Sequence, residues 1–358
     1  MVFAEEETMR KINISNCQAG MTLGKAVYYD GSSMLIDEGT VLTPSHLAQI
    51  ASLGITELYI QDNFSKDIEV KDVIRDITRL EAILFMKQTM EKYSLEGMPP
   101  SGHIISIVDK ILNDILDSEE IIVNLMDIKT FDGYTFSHSV NVCILSLIIG
   151  IKLKLGQAEL QELGVGALLH DIGKVLIPTE ILNKKSSLSN DEFEVIKRHS
   201  KLGFDILKNI PGISDKSALV ALNHHERCDG KGYPMALHKE EIHLYSKIVA
   251  VTDIFDALTS DRIYRKKMGT FNAINYLESI NNMLLDSQIL GCFLNVIPPY
   301  PIGTEVTLSS GEKGIVCGLN KSHIPIVRLN VNSDGTSKYP YEEINLERSN
   351  NCIIVSSC

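Results

Sequence analysis

The chain has 358 residues, 44% hydrophobic and 22% charged, with a net charge of −12. That length predicts two or three folded units, and the balance excludes wholesale disorder. The acidic surface excludes a grip on long nucleic acid, DNA included, but leaves room for a small anion held by local cations or metals.

Seven cysteines with no CxxC pair argue against a disulfide framework or a structural zinc site and fit a reducing cytoplasm. The start, MVFAEEETMRK, lacks an apolar core of signal-peptide length, and the longest apolar stretch, Val140 to Ile151, is too short to span a bilayer. A cytoplasmic protein without a membrane span is expected.

In chain order, Ala26–Tyr29 and Leu58–Ile60 read as strands, with turns at Asp30-Gly31 and Glu38-Gly39. Thr43–Leu53 reads as a helix with Thr43 as its N-cap. A small N-terminal α/β domain over 1–65 follows, without a catalytic cluster. From about residue 71 the period turns helical. Val73–Tyr93 and Ile104–Leu125 are amphipathic and are separated by the breaker MPPSG at 98–102. Further helical patterns cover Phe136–Leu153, Ala158–Leu169, Asp191–Leu207, Ser217–Asn223, Ile248–Thr259 and Asn272–Leu285. Together they predict one helical domain over 71–290. After Pro298-Pro299-Tyr300-Pro301 the texture alternates again in Thr304–Ser309, Lys313–Leu319 and Pro325–Val331, which predicts a small β-rich domain over 300–358. The fold class is mainly α, a helical bundle flanked by a small α/β and a small β domain.

Five of the ten histidines are His138, His170, His199, His224 and His225, with no other between 138 and 225, and Asp171 and Asp253 join them. His170-Asp171 follows the apolar run ALL, and His224-His225 ends ALVALN. Polar side chains at the ends of buried helices are costly without partners. Imidazole with carboxylate suits iron, manganese or zinc. Seven side chains are too many for one catalytic ion, which takes three or four, and enough for two with Asp171 as the bridge. Two metals close together serve phosphoester hydrolysis.

The text YTFSHSVNV (134–142), ALLHDIGKVLIP (167–178), KRHSKLGFDIL (197–207), NHHERCDGKGYP (223–234) and VTDIFDALTSDRIYR (251–265) resembles the HD-GYP family of HD phosphohydrolases, block by block and in order. The resemblance implies an HD-type helical bundle and a cyclic di-GMP phosphodiesterase that yields linear pGpG and, by a second cut, GMP. It implies that His138, His170, Asp171 and Asp253 bind one metal. His199, His224 and His225 bind a second, with Asp171 between them, the ions being iron or manganese. Lys174 is implied to contact the scissile phosphate, acting with Asp171 in catalysis, and Arg262 and Arg265 to face the dinucleotide. Gly232, Tyr233 and Pro234 form the naming loop, which is either a structural turn or a partner-binding surface. Glu226 is either an imidazole partner or a solvated loop charge. Some members hold a third metal through a glutamate at the position of Tyr134. Tyrosine there predicts two metals, with Asp256 alone too weak to make a third set.

Rival expectations are another cyclic dinucleotide such as cyclic GMP-AMP, a different nucleotide such as an alarmone, or a catalytically weak scaffold. The flanking units are candidates for regulation, for a homodimer contact, or for binding a diguanylate cyclase.

Overall fold

The computed structural model describes residues 9–358 apart from 29–33, 54, 56, 66, 69–71, 119–133, 185, 261–266, 282, 321, 350–351 and 358, and apart from the side chains of 94, 134 and 135. The N-terminal unit contains β1 (Arg10–Asn13), β2 (Thr22–Leu23), β3 (Val27–Tyr28), β4 (Met34–Ile36), α1 (Pro44–Ser52) and β5 (Glu57–Gln61). An antiparallel sheet in the order β1-β5-β2 packs with α1 around Ile12, Leu23, Ile50, Leu58 and Ile60. Thr43 caps α1 as expected, its Oγ1 accepting from His46 N at 3.2 Å. The turn at Glu38-Gly39 is present, with Gly39 at φ 74°. The one expected at Asp30-Gly31 lies outside the described residues.

The helical body comprises α2 (Asp76–Glu96), α3 (Ser101–Asp117), α4 (Tyr134–Lys152), α5 (Gln157–Leu168), a 3-10 turn at Ile172–Leu176, α6 (Thr179–Leu182), α7 (Asn190–Lys208), α8 (Asp215–Asn223), α9 (Leu244–Thr259), α10 (Thr270–Ser279) and α11 (Ser287–Leu294). Residues Val140 and Val142 to Ile149 of α4 are buried almost without a gap, because α5 and α9 cover the helix on different sides. A helix apolar all round belongs at the centre of a bundle. Several boundaries differ from expectation, among them the start of α9 at Leu244, four residues before Ile248. Helix α2 begins three residues later than Val73, because Arg75 still has extended backbone at φ −67°, ψ 143°. Helix α3 ends at Asp117 with Ser118 extended, and the rest of the stretch expected to reach Leu125 lies outside the described residues. The helix expected over Asn272–Leu285 stops at Ser279, and the Asp286 carboxylate starts α11 by accepting from the backbone of Gln288 and Ile289. Among the described residues no helix is long and apolar enough to cross a membrane.

The C-terminal unit is an antiparallel sheet of β6 (Glu305–Leu308), β7 (Lys313–Leu319), β8 (Pro325–Val331), β9 (Ser337–Asn345) and β10 (Ile354–Ser357), in the order β10-β6-β7-β8-β9. The last two strands have no counterpart in the sequence reading. The two flanking units, far apart in sequence, meet in space. Met9, Tyr59, Phe64 and Ile68 bury against Ile315. The Arg10 guanidinium bridges Asp62 at 2.9 Å and Glu305 at 2.6 Å.

Candidate metal centre

The site lies where α4, α7, α8, α9 and the turn after α5 converge. His138 comes from α4, His199 from α7, and Asp253 and Asp256 from α9. His170 and Asp171 end α5 at its junction with the 3-10 turn, and His224 is the C-cap of α8. Gly173 lets this turn lie directly on α7. A Cβ there would sit 2.0 Å from the His199 carbonyl oxygen, so only glycine fits.

Ligand atoms of Asp171, His199, His224 and His225 lie within 4.8 Å of one another, as do those of His138, His170 and Asp171. Asp171 belongs to both sets. Asp253 completes the first set, its Oδ1 lying 3.1 Å from His138 Nε2 and 4.0 Å from His170 Nε2. All seven expected ligand residues are therefore brought together.

Three imidazoles have their protons assigned by the backbone. Nδ1 of His170 meets the Ala167 carbonyl at 2.8 Å, that of His199 meets Ile196 O at 2.7 Å, and that of His224 meets Ala221 O at 3.0 Å. A carbonyl only accepts, so each Nδ1 donates, and in the neutral ring Nε2 keeps its lone pair. These lone pairs point at one another and at Asp171. Nε2 of His199 and His224 are 3.3 Å apart, and His199 Nε2 is 3.3 Å from Asp171 Oδ1. Among the described residues, His170 Nε2 and Asp171 Oδ1 are buried with no hydrogen-bond partner. Buried acceptors facing acceptors are unfavourable unless a cation sits between them. The donor set fits divalent metal ions.

His138 is held by side chains instead. Its Nδ1 is 2.7 Å from Asp256 Oδ2, and Asn141 Nδ2 donates to Asp256 Oδ1 at 2.9 Å. Asp256, weighed from sequence as a spare ligand, orients His138. Burial opposes charge on this imidazole, but hydrogen bonds to Asp253 and Asp256 outweigh it and push its pKa up to about 9. His199 goes the other way, down to about 4, because burial outweighs the pull of Asp171. His225 is held well below its ordinary value by burial and by His224. Burial disfavours the Asp171 carboxylate, yet Lys174 and His170 keep its pKa well below the ordinary range.

Lys174 pairs with Asp171 Oδ2. Arg262 and Arg265 lie outside the described residues. In the naming loop, the Tyr233 ring packs on His225 with centroids 4.7 Å apart. Lys197 lies over the same tyrosine ring at 5.5 Å. Gly232 is demanded by close approach, since a Cβ would meet Arg227 N and Glu226 Cα at 2.4 Å. Glu226 fits neither sequence reading. It is buried and accepts from Met235 N at 2.6 Å and Leu237 N at 3.0 Å, so it struts the loop.

The spacings Asp253/Asp256 and His138/Asn141, each one turn apart on a helix, are the signal that would have marked Asp256 and Asn141 as supports.

The HD domain family model matches residues 110–289, half of the chain. The chain belongs to the HD domain family. Its metal-site motifs and its relatives place it in the HD-GYP branch. A cyclic di-GMP phosphodiesterase of Pseudomonas aeruginosa is 36% identical over 67% of this HD protein and 58% of its own length. A 3′3′-cGAMP-specific phosphodiesterase of Vibrio cholerae is 32% identical over 61% of the chain and 51% of its own length. The HD-GYP chain thus matches little more than half of either relative. A solved HDG"Y"P protein of Bdellovibrio bacteriovorus, 18% identical, superposes with a TM-score of 0.52 over 80% of this chain and 98% of its own, a likeness of fold.

Proposed function

We propose that this protein hydrolyses the phosphodiester bonds of cyclic di-GMP at a two-metal centre, giving linear pGpG and, by a second cut, GMP. The observation that carries the reading is Asp171, buried, common to both ligand clusters, and left with one carboxylate oxygen unpartnered. In this reading His138, His170, Asp171 and Asp253 hold one divalent ion. Asp171, His199, His224 and His225 hold the other, and iron or manganese suits the donors. Such ions, when bound, acidify water and neutralise charge on the phosphoryl oxygens. The protein supplies the rest. Asp171 fixes the spacing of the two halves. Lys174, which here neutralises Asp171, is placed to turn its ammonium to a phosphate oxygen. Tyr233 seats His225 through ring contact. Arg262 and Arg265 are assigned to the dinucleotide on the motif alone.

The engagement of Asp256 by His138 and Asn141 supports two metals over three. The Tyr134 side chain lies outside the described residues. Relatives specific for 3′3′-cGAMP favour one second reading, the mixed dinucleotide as substrate. The six described cysteines are free thiols, which fits a reducing cytoplasm. Contact with a diguanylate cyclase, or a homodimer, is the role left for the joined flanking units, and co-purification with light scattering tests it. The main test is anaerobic purification, metal analysis and product detection with cyclic di-GMP, cyclic GMP-AMP and an alarmone. Two metal equivalents and pGpG are expected. Hydrolysis of the alarmone alone would overturn the proposal.

A further inference from the structure

A buried polar chain leads away from the metal centre. From His138 it passes to Asp256, whose second oxygen accepts from Asn141. Asn141 Oδ1 accepts from Arg79 Nη1 at 2.8 Å. Arg79 Nη2 donates to Asp72 Oδ2 at 2.7 Å. Asp72 lies in the field of Lys25, whose Nζ is 2.8 Å from Asp76 Oδ1. His138, Asp256, Asn141, Arg79 and Lys25 are each 6% exposed or less. Lys25 stands between β2 and β3, in the N-terminal unit, and Arg79 in the first turns of α2.

The order of donors is forced. Arginine cannot accept, so Asn141 turns its carbonyl to Arg79 and its amide to Asp256. A carboxylate only accepts, so Asp256 takes the Asn141 N–H on one oxygen and the His138 Nδ1–H on the other. His138 Nε2 is thereby aimed at Asp253, 3.1 Å away, and at Asp171, 3.9 Å away. Sequestering a guanidinium and carboxylates in a core is a poor way to stabilise a fold, since apolar side chains of similar volume do as well or better. His170, His199 and His224 are oriented by backbone carbonyls of their own segments. Orientation of His138 is what this network adds, and its far end lies in another unit.

We propose that Asp256, Asn141 and Arg79 are positioning residues for the His138 half of the metal centre, and that Lys25, paired with Asp76 on the helix that carries Arg79, makes the N-terminal unit the outer anchor of that support. The proposal rests on His138 being a metal ligand. It gives the N-terminal unit a route to the chemistry, because the Lys25–Asp76 ion pair ties that unit to the helix that carries Arg79.

The test is manganese(II) titration of the metal-stripped full-length protein, with bound equivalents counted by loss of the free-ion paramagnetic resonance signal. Asp256→Asn and Asn141→Leu should weaken one of the two equivalents by about 10- to 100-fold and leave the other unchanged. Lys25→Met should weaken the same equivalent by about two- to fivefold. A purely structural role would lower the melting temperature without singling out one equivalent. Should Asn141→Leu fail to fold because Arg79 loses its acceptor, Asp256→Asn, which conserves volume, carries the test. Wild-type affinity for both equivalents in folded Asp256→Asn overturns the positioning role. Wild-type affinity in Lys25→Met overturns the outer anchor. His138→Ala is the control: if it retains both equivalents, the assignment of His138 to the metal centre fails instead.

Discussion

The candidate metal centre orients its histidines by two different means. His199 and His224 turn Nδ1 onto carbonyls three residues earlier in their own helices. His138 turns it onto Asp256, 118 positions away. The first device forms whenever the helix forms. The second exists only when α4 and α9 are packed, and it depends on Asn141 and Arg79 being in place. The first device is local and self-sufficient, whereas the second reads the state of the fold.

Breaking what the halves share should have the largest effect. Asp171→Ala removes the one carboxylate common to both clusters, and cyclic di-GMP turnover should fall by about three orders of magnitude or more. Far-UV circular dichroism should stay helical. Turnover near wild type in the folded, metal-loaded variant would show that the halves are not joined through Asp171.

The halves should next separate by pH in the metal-free protein. His199 titrates near 4 when folded against an ordinary 6.5, so the unfolded chain binds its proton first as pH falls. Its contribution is full above 6.5 and is lost on the way down to 4, on the order of 3 kcal/mol. His138, raised to about 9, has the opposite sign: its contribution is full below 6.5 and is lost as pH climbs to 9. Denaturant midpoints across pH should therefore lose the acid limb in His199→Gln and the alkaline limb in His138→Gln. The same slope in both variants would erase the distinction.

A smaller effect tests the His199 half by geometry alone. Gly173→Ala places a Cβ against the His199 carbonyl, so α7 must shift. Manganese affinity at the His199 equivalent should fall by about tenfold while the His138 equivalent is kept. The smallest effect concerns the loop beside His225. Glu226→Gln leaves one oxygen to serve two backbone donors, and unfolding free energy should drop by about 1–2 kcal/mol, read from thermal melts. No change would mean that Tyr233 alone seats the loop.

Much of the centre is legible in the primary structure because its ligands come in short blocks at helix ends. The pair His170-Asp171 closes an apolar helix, and a polar pair in that setting demands a partner. Glu226 misleads because a charge in a Gly-rich loop looks solvated. Its burial follows from the loop folding back over it, which places the Met235 and Leu237 N–H groups on its carboxylate. Asp256 reads as a spare ligand since it follows Asp253 by one turn, but which group meets its oxygens depends on α4. Arg79 gives no signal, as an arginine early in an amphipathic helix is ordinarily on the surface.

By itself the sequence determined the helical body with its small flanking units, the seven side chains that gather at the candidate site and the place of Asp171 in both clusters. These follow from local periodicity, from turn chemistry and from donor types that suit divalent ions. Tertiary structure alone decided that the two flanking units bury against each other, that Asp256 meets His138, and that Lys25 pairs with Asp76 on the helix that carries Arg79. Each of these depends on which side chain meets which across distant segments. No local pattern encodes that, because a buried charge is tolerated only where another element brings its partner.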